Sequence, residues 1–216
     1  MEMKDIIKDI SARGNGSIYL GVVGTVRTGK STFIKKVIEN LVVPNIEDEY
    51  DKKKCLDEIP QSSNGKQIMT TEPKFVPSQG AVIKIDDFKT NIKLIDCVGY
   101  VIDGAIGYED AESNPRLVNT PWYPEAIPFI EAAEIGTEKV IKDHSTIGIV
   151  ITTDGSFGEF KRSDYIDGET KVIEELKSIN KPFIVILNTT HTDNPDTLKI
   201  KMDSIIEKCN VKITLF

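Results

Sequence analysis

Residues 17–32 read SIYLGVVGTVRTGKST, and this stretch decides the fold. An apolar run of strand character (Ile18, Tyr19, Leu20, Val22, Val23) leads into Gly24-Thr25-Val26-Arg27-Thr28-Gly29-Lys30-Ser31. That octet fits the phosphate-binding pattern G-x-x-x-x-G-K-[ST] position by position. Helical spacing follows at once in Phe33, Ile34, Val37, Ile38 and Leu41. From average residue usage, the four fixed positions would coincide by accident in such a chain roughly 1 time in 100. An accident would not also supply the strand before the loop and the helix after it. Gly24 and Gly29 permit turns that a Cβ would hinder. The loop's N–H groups then converge on an anion at the helix N-terminus, where the helix dipole is positive. Lys30 adds a point charge for β- and γ-phosphates, and Ser31 offers a hydroxyl to Mg²⁺. Gly24 to Thr32 is therefore the expected phosphate cradle.

Composition bounds the rest. At 216 residues the chain has room for one domain or two. A net charge of −7 argues against non-specific binding to nucleic acid or to anionic membranes. Cys55, Cys97 and Cys209 are few, odd in number and widely spaced, which suggests a reducing compartment and no disulfide framework. The start, MEMKDIIKDI, is charged and lacks a signal-peptide core. No apolar run nears the ~20 residues of a membrane span. The expectation is a soluble cytoplasmic domain.

Outward from the loop, Ile6, Ile7 and Ile10 predict a short amphipathic helix over 2–13 that packs on the domain. Residues 43–68 are polar, broken by Pro44, Pro60 and Gly65, and read as a mobile stretch. Val82, Ile83 and Ile85, then Ile92, Leu94 and Ile95, read as two strands joined by a polar turn over 86–91. Their closeness implies an antiparallel pair, since no crossover helix fits between them. Residues 97–128 are rich in Gly and Pro and show little periodicity. A helix is expected over 128–142, a buried strand over 147–151 and a helix over 163–178. A strand over 183–187, a helix over 195–208 and a last β-branched piece over 211–215 complete the order. This alternation predicts an α/β fold: a mostly parallel sheet with one antiparallel strand and helices on both faces. Ligands then sit at the carboxyl ends of the strands.

Further residues join the loop. Asp96 closes the strand in Leu94-Ile95-Asp96-Cys97-Val98-Gly99, an apolar strand followed by D-x-x-G. Its carboxylate is expected to hold Mg²⁺ through water, and the Gly99 N–H to sense the γ-phosphate. Between loop and strand lie Thr70 and Thr71, either of which suits a switch threonine with its hydroxyl on Mg²⁺. Position 100 carries Tyr100 where many small GTPases place a water-orienting glutamine, so hydrolysis is expected to be slow or to use another group. Arg116 and Glu109, in the loop after the motif, are candidates for such help, set against the reading of each as a solvated loop charge. After the strand ending at Leu187 the chain reads Asn188-Thr189-Thr190-His191 where GTP-specific proteins carry N-K-x-D: Asn188 remains as an expected nucleotide contact, and the lysine and aspartate are gone. Without that carboxylate guanine is not selected, and ATP or relaxed specificity is expected. Asp154-Gly155 reads as a turn cap, Trp122 as a packing anchor or a partner-docking side chain, and His144 has no metal-ligand companion.

The whole chain resembles the N-terminal domain of the stage IV sporulation protein A family, the spore-coat morphogenetic ATPases in the GTPase-like branch of P-loop proteins. The resemblance is carried by IYLGVVGTVRTGKSTFIKKV, GKQIMTTEPKFVP, LIDCVGY, NTPWYPEAIPF, EAAEIGTEKVI, HSTIGIVITTDGS, RSDYI and VIEELK. It implies ATP hydrolysis with Mg²⁺ that drives self-assembly into a static polymer. That polymer would form the basement layer of the coat on the forespore's outer surface, in the mother-cell cytoplasm. It implies partners too: a small amphipathic membrane-anchoring protein and other coat proteins. It assigns phosphate binding to Lys30, Mg²⁺ to Asp96 and γ-phosphate sensing to Thr70-Thr71. Family chains are considerably longer, so 1–216 is expected to be an N-terminal portion, a single P-loop NTPase domain.

Overall fold

The computed structural model of the chain describes residues 16–60, 72–85, 88–105, 107–109, 112, 114–191 and 213–215. The expected helices over 2–13 and 195–208, the Thr70-Thr71 pair and Cys209 lie outside the described residues.

The central strand is β1 (Ser17–Val23), and the glycine loop carries it into α1 (Lys30–Val37). A wide turn over Ile38–Val42 and a 3₁₀ turn over Val43–Asn45 extend that helix. Next come α2 (Glu49–Asp57), β2 (Lys74–Ile85) and β3 (Phe88–Asp96). A small hairpin, β4 (Leu117–Thr120) with β5 (Tyr123–Pro128), precedes α3 (Phe129–Lys139), which runs on through a wide turn to His144. The chain continues through β6 (Ile147–Thr153), α4 (Arg162–Ser178), β7 (Phe183–Asn188) and β8 (Ile213–Leu215).

Among the described residues, six strands form one sheet in the order β2-β3-β1-β6-β7-β8. All neighbours are parallel except β2 with β3. The order turns around at β1, which has β3 on one side and β6 on the other, and such a switch point is where α/β sheets bind ligands. Register brings the chemistry to one edge: Val22 lies level with Asp96, and Thr153 with Asn188.

Alternate residues of each strand feed opposite cores. Val22, Leu94, Ile149, Ile151 and Ile186 pack with Phe33, Ile34, Ile38 and Cys55 of the α1–α2 layer. Val23, Ile95, Val150, Val185 and Leu187 pack with Val140, Ile141, Val172, Ile173 and Leu176 of the α3–α4 layer. Both faces being buried, the central strands are continuous apolar runs, as expected from 147–151. Cys55 and Cys97 are buried free thiols that burial pushes up to about 11, so neither is a thiolate at neutral pH.

Three local expectations change. Within 43–68, α2 forms because the Asp48 side chain accepts the Tyr50 and Asp51 N–H groups at 2.8 and 2.9 Å. Its periodicity is silent because Cys55 is its one buried residue. Within 97–128, the β4–β5 hairpin exposes most of its side chains and so shows no alternation. The antiparallel pair is longer than its apolar cores: β2 starts at Lys74, with an irregularity between Val76 and Ala81, and β3 takes in residues 88–91.

Candidate nucleotide site

The glycine loop is shaped by close approach. Gly24 has φ +143°, and a Cβ there would stand 2.3 Å from the Ile151 carbonyl oxygen. Gly29 has φ +93°, and its Cβ would meet Asn188 Nδ2 at 2.4 Å. Inside the loop, Thr28 Oγ1 donates to the Thr25 carbonyl at 3.0 Å, and Lys30 Nζ donates to the same oxygen at 2.5 Å. Gly29 caps α1 without a side chain, so no side chain competes for the first-turn N–H groups, and an anion can take them. Val26 turns its side chain into a small core with Ile102, Ala105 and Tyr165, while Arg27, at φ 62°, and the exposed Thr32 flank the turn.

Lys30 is buried, and burial holds its ammonium below the usual lysine range, with Cys97 and Asp96 acting the other way. A buried cation of this kind is completed by an anion. Ser31 Oγ donates to Asp96 Oδ2 at 2.8 Å. The other oxygen, Asp96 Oδ1, is buried and has no hydrogen-bond partner among the described residues. Leaving such an atom unpaired costs about 1–3 kcal/mol. Burial raises the Asp96 carboxyl, and the Ser31 hydrogen bond and the Lys30 charge oppose that. A hard divalent cation with oxygen ligands fits this donor set. No group of three or more His, Cys, Asp or Glu is placed to hold a metal among the described residues. Phosphate and water oxygens would therefore complete the coordination of a cation at Ser31 and Asp96.

Gly99 lies on the loop. At φ +91°, its Cβ would stand 2.1 Å from the Gly24 carbonyl oxygen and 2.7 Å from Lys30 Nζ. Tyr100 is stitched to the loop by its backbone: its N–H donates to Gly24 O at 3.2 Å, and its carbonyl accepts from Val26 N at 2.8 Å. Its ring turns away into the α3–α4 core.

On the far side, Asn188 Nδ2 donates to the Thr28 carbonyl at 3.0 Å, so its amide braces the loop. Thr189 Oγ1 donates to Asp154 Oδ2 at 2.6 Å and accepts the His191 N–H at 3.0 Å. Asp154 also accepts the Ser156 N–H at 2.9 Å, and Ser156 Oγ accepts the Thr190 N–H at 2.9 Å. The turns after β6 and β7 are thus cross-linked, and Asp154 is more than the turn cap expected. Behind them Arg162 holds the buried Glu169 through both nitrogens at 2.8 Å, and Thr152 Oγ1 also donates to Glu169. This network was missed; a lone Arg and a Glu seven residues on give no sequence signal for a shared partner on β6.

Other candidates are held elsewhere. Arg116 Nη1 donates to Gly107 O at 3.1 Å, and its guanidinium lies 5.3 Å from the Phe129 ring centroid. Glu109 sits in a backbone bridge with Pro115. Trp122 lies in the hairpin turn with Lys139 Nζ 5.7 Å from its ring. His144 packs edge-on against Phe75.

The profile of the family described as "Stage IV sporulation protein A, ATPase domain" matches residues 1–216. The Stage IV sporulation protein A of Bacillus anthracis is 58% identical over 214 residues, which cover 99% of this chain and 43% of that protein. That of Clostridioides difficile (strain 630) is 53% identical, over 97% of this chain and 42% of that protein. The chain thus spans less than half the length of these relatives. Among solved structures, translation elongation factor SelB from Methanococcus maripaludis with a GTP analogue is similar at a TM-score of 0.43 and 14% identity. The match covers 93% of this chain and 29% of that one. A strand–glycine loop–helix at the switch point of a mostly parallel sheet, together with a family match along its full length, places this chain in the stage IV sporulation protein A family, in its ATPase domain.

Proposed function

We propose that the chain binds ATP with Mg²⁺, hydrolyses it, and uses the change to assemble with copies of itself in the basal layer of the spore coat. The observation that carries this is the Ser31–Asp96 pair with its unpartnered Oδ1, set beside a buried lysine beneath a glycine loop. In this reading residues 1–216 are one nucleotide-binding domain of a longer protein. The loop amides of residues 24–32 and Lys30 hold the phosphates. Ser31 and Asp96 hold the metal, which when bound neutralises charge on the β- and γ-phosphate oxygens. The Gly99 N–H faces the γ-phosphate, and Thr70 or Thr71 closes over it. Asn188 braces the loop. With a threonine at 189 and a histidine at 191, the lysine and aspartate of N-K-x-D are missing, which favours ATP. This reading further places assembly at the forespore surface in the mother cell, with a small amphipathic membrane anchor and other coat proteins as partners, and family membership supports it only as far as a role in sporulation.

Competition binding of ATP and GTP with and without Mg²⁺ tests the site. The expected outcome is ATP binding strengthened at least tenfold by Mg²⁺ and weaker GTP binding. Failure to bind any nucleoside triphosphate sinks the proposal.

A second reading, nucleotide held without turnover, is favoured by one observation: position 100 offers no side chain to orient a water. Single-turnover phosphate release separates the two.

A further inference from the structure

The segment that follows Asp96 is built into the interior on two sides. On one side, the Tyr100 backbone is bonded to Gly24 and Val26 of the phosphate loop. On the other, the Tyr100 side chain, 3% exposed, packs in the core with Val172, Ile173 and Leu176 of α4 and Val140 and Ile141 after α3. Its hydroxyl donates to Glu175 Oε1 at 2.5 Å. Lys171 Nζ sits 4.3 Å from the ring centroid and pairs with Glu134 of α3 at 3.0 Å. Helix α4 comes close enough that a Cβ at Gly168 would stand 2.3 Å from Thr25 Cγ2 and 3.4 Å from Tyr100 Cβ. Beyond Tyr100, Ile102 and Ala105 are buried against Val26 and Tyr165.

We infer that Tyr100 is a positioning residue: clamped between α3 and α4, it holds the Gly99 peptide against the phosphate loop as a fixed platform that stays in place whether the nucleotide is triphosphate, diphosphate or absent. The inference rests on reading the loop as a triphosphate site, and it adds which part of that site does not move. The reason is energetic. Swinging residues 99–102 outward would expose the Tyr100 ring and break its bond to a carboxylate whose other oxygen, Oε2, has no partner among the described residues. The population penalty is on the order of a thousandfold. Any conformational response to hydrolysis must then run through other segments.

The test is amide hydrogen exchange on the whole chain without nucleotide, with ADP and with a non-hydrolysable ATP analogue, followed by ATP turnover. In the unaltered chain the Val26 and Tyr100 amides are expected to exchange equally slowly, within about threefold, in all three states. Tyr100→Phe keeps the ring and loses the bond to Glu175. Those two amides should then exchange about tenfold faster while Val172 and Leu176 stay unchanged, and kcat should fall about tenfold with KM within threefold. Glu175→Gln keeps an acceptor for the hydroxyl and should retain slow exchange. A protection difference above tenfold between the ADP and analogue states overturns the inference, as does a Tyr100→Phe variant with unaltered exchange and kcat. If the unaltered chain cleaves no ATP, the function proposed above fails, and the exchange rates without nucleotide still decide whether the clamp exists.

Discussion

The two halves of the site are built differently. On the side proposed for the phosphates, the site is backbone geometry: three glycines at positive φ, a helix start and one buried lysine, with Ser31 and Asp96 beside it. On the base side, side chains separated in sequence tie one turn to another: Asn188 to Thr28, Thr189 to Asp154, Ser156 to Thr190. In the proposed site the first half would hold a ligand through groups every residue owns, so a short motif specifies it. The second depends on which side chains the fold brings together, and here it forms an ordered wall without the lysine and aspartate of N-K-x-D.

Four variants probe that contrast, the largest effect first. Lys30→Ala and Asp96→Ala each remove charge from the phosphate side, and phosphate release should fall at least about 100-fold. Retained turnover in either would place the chemistry elsewhere. Tyr100→Gln installs the residue of many small GTPases. Because position 100 points into the α3–α4 core, turnover should not rise, and urea unfolding should show a loss of about 2–4 kcal/mol. A faster enzyme would mean that the side chain can face the phosphates. Thr189→Val breaks the link to Asp154. ATP binding should weaken about three- to tenfold while inorganic tripolyphosphate binding stays the same; an equal loss for both ligands would erase the distinction between halves.

The smallest effect is in pH dependence. Burial raises the Glu175 carboxyl above the usual glutamate range, with the Tyr100 hydroxyl opposing the shift and Glu138 adding to it. A carboxyl with a raised folded pKa binds its proton more tightly when folded, so ionising it lowers stability as pH climbs above the unfolded value of about 4.3. Glu175→Gln removes that cost. Its denaturant midpoint relative to the parent should therefore improve from pH 4 to pH 7, and an unchanged difference would show that the group is not perturbed.

The central strands, the antiparallel pair and α1, α3 and α4 were legible because burial on one face or two imposes a period on the sequence. The loop and the Asp96-Gly99 turn were legible because their chemistry fixes spacing. Helix α2 was not: Cys55 alone reaches the core, and the Asp48 cap is its main signal. The β4–β5 hairpin was not, since Thr120 is its one buried residue. Asn188 was expected at the nucleotide, and only the fold shows its amide on the Thr28 carbonyl. Asp154–Thr189 and Arg162–Glu169 are partnerships across elements, for which one sequence carries no spacing rule. Tyr100 was legible as a missing glutamine, but not as a residue turned into the core.

The proposed function stands or falls on whether the Gly24–Ser31 loop, with Asp96, turns over ATP in preference to GTP. Phosphate release from each nucleotide with Mg²⁺, with Lys30→Ala alongside, tests it most directly. Slow release from ATP, less from GTP, and none above background from the variant are expected. Equal release from the Lys30→Ala chain, or GTP cleaved faster than ATP, would contradict it.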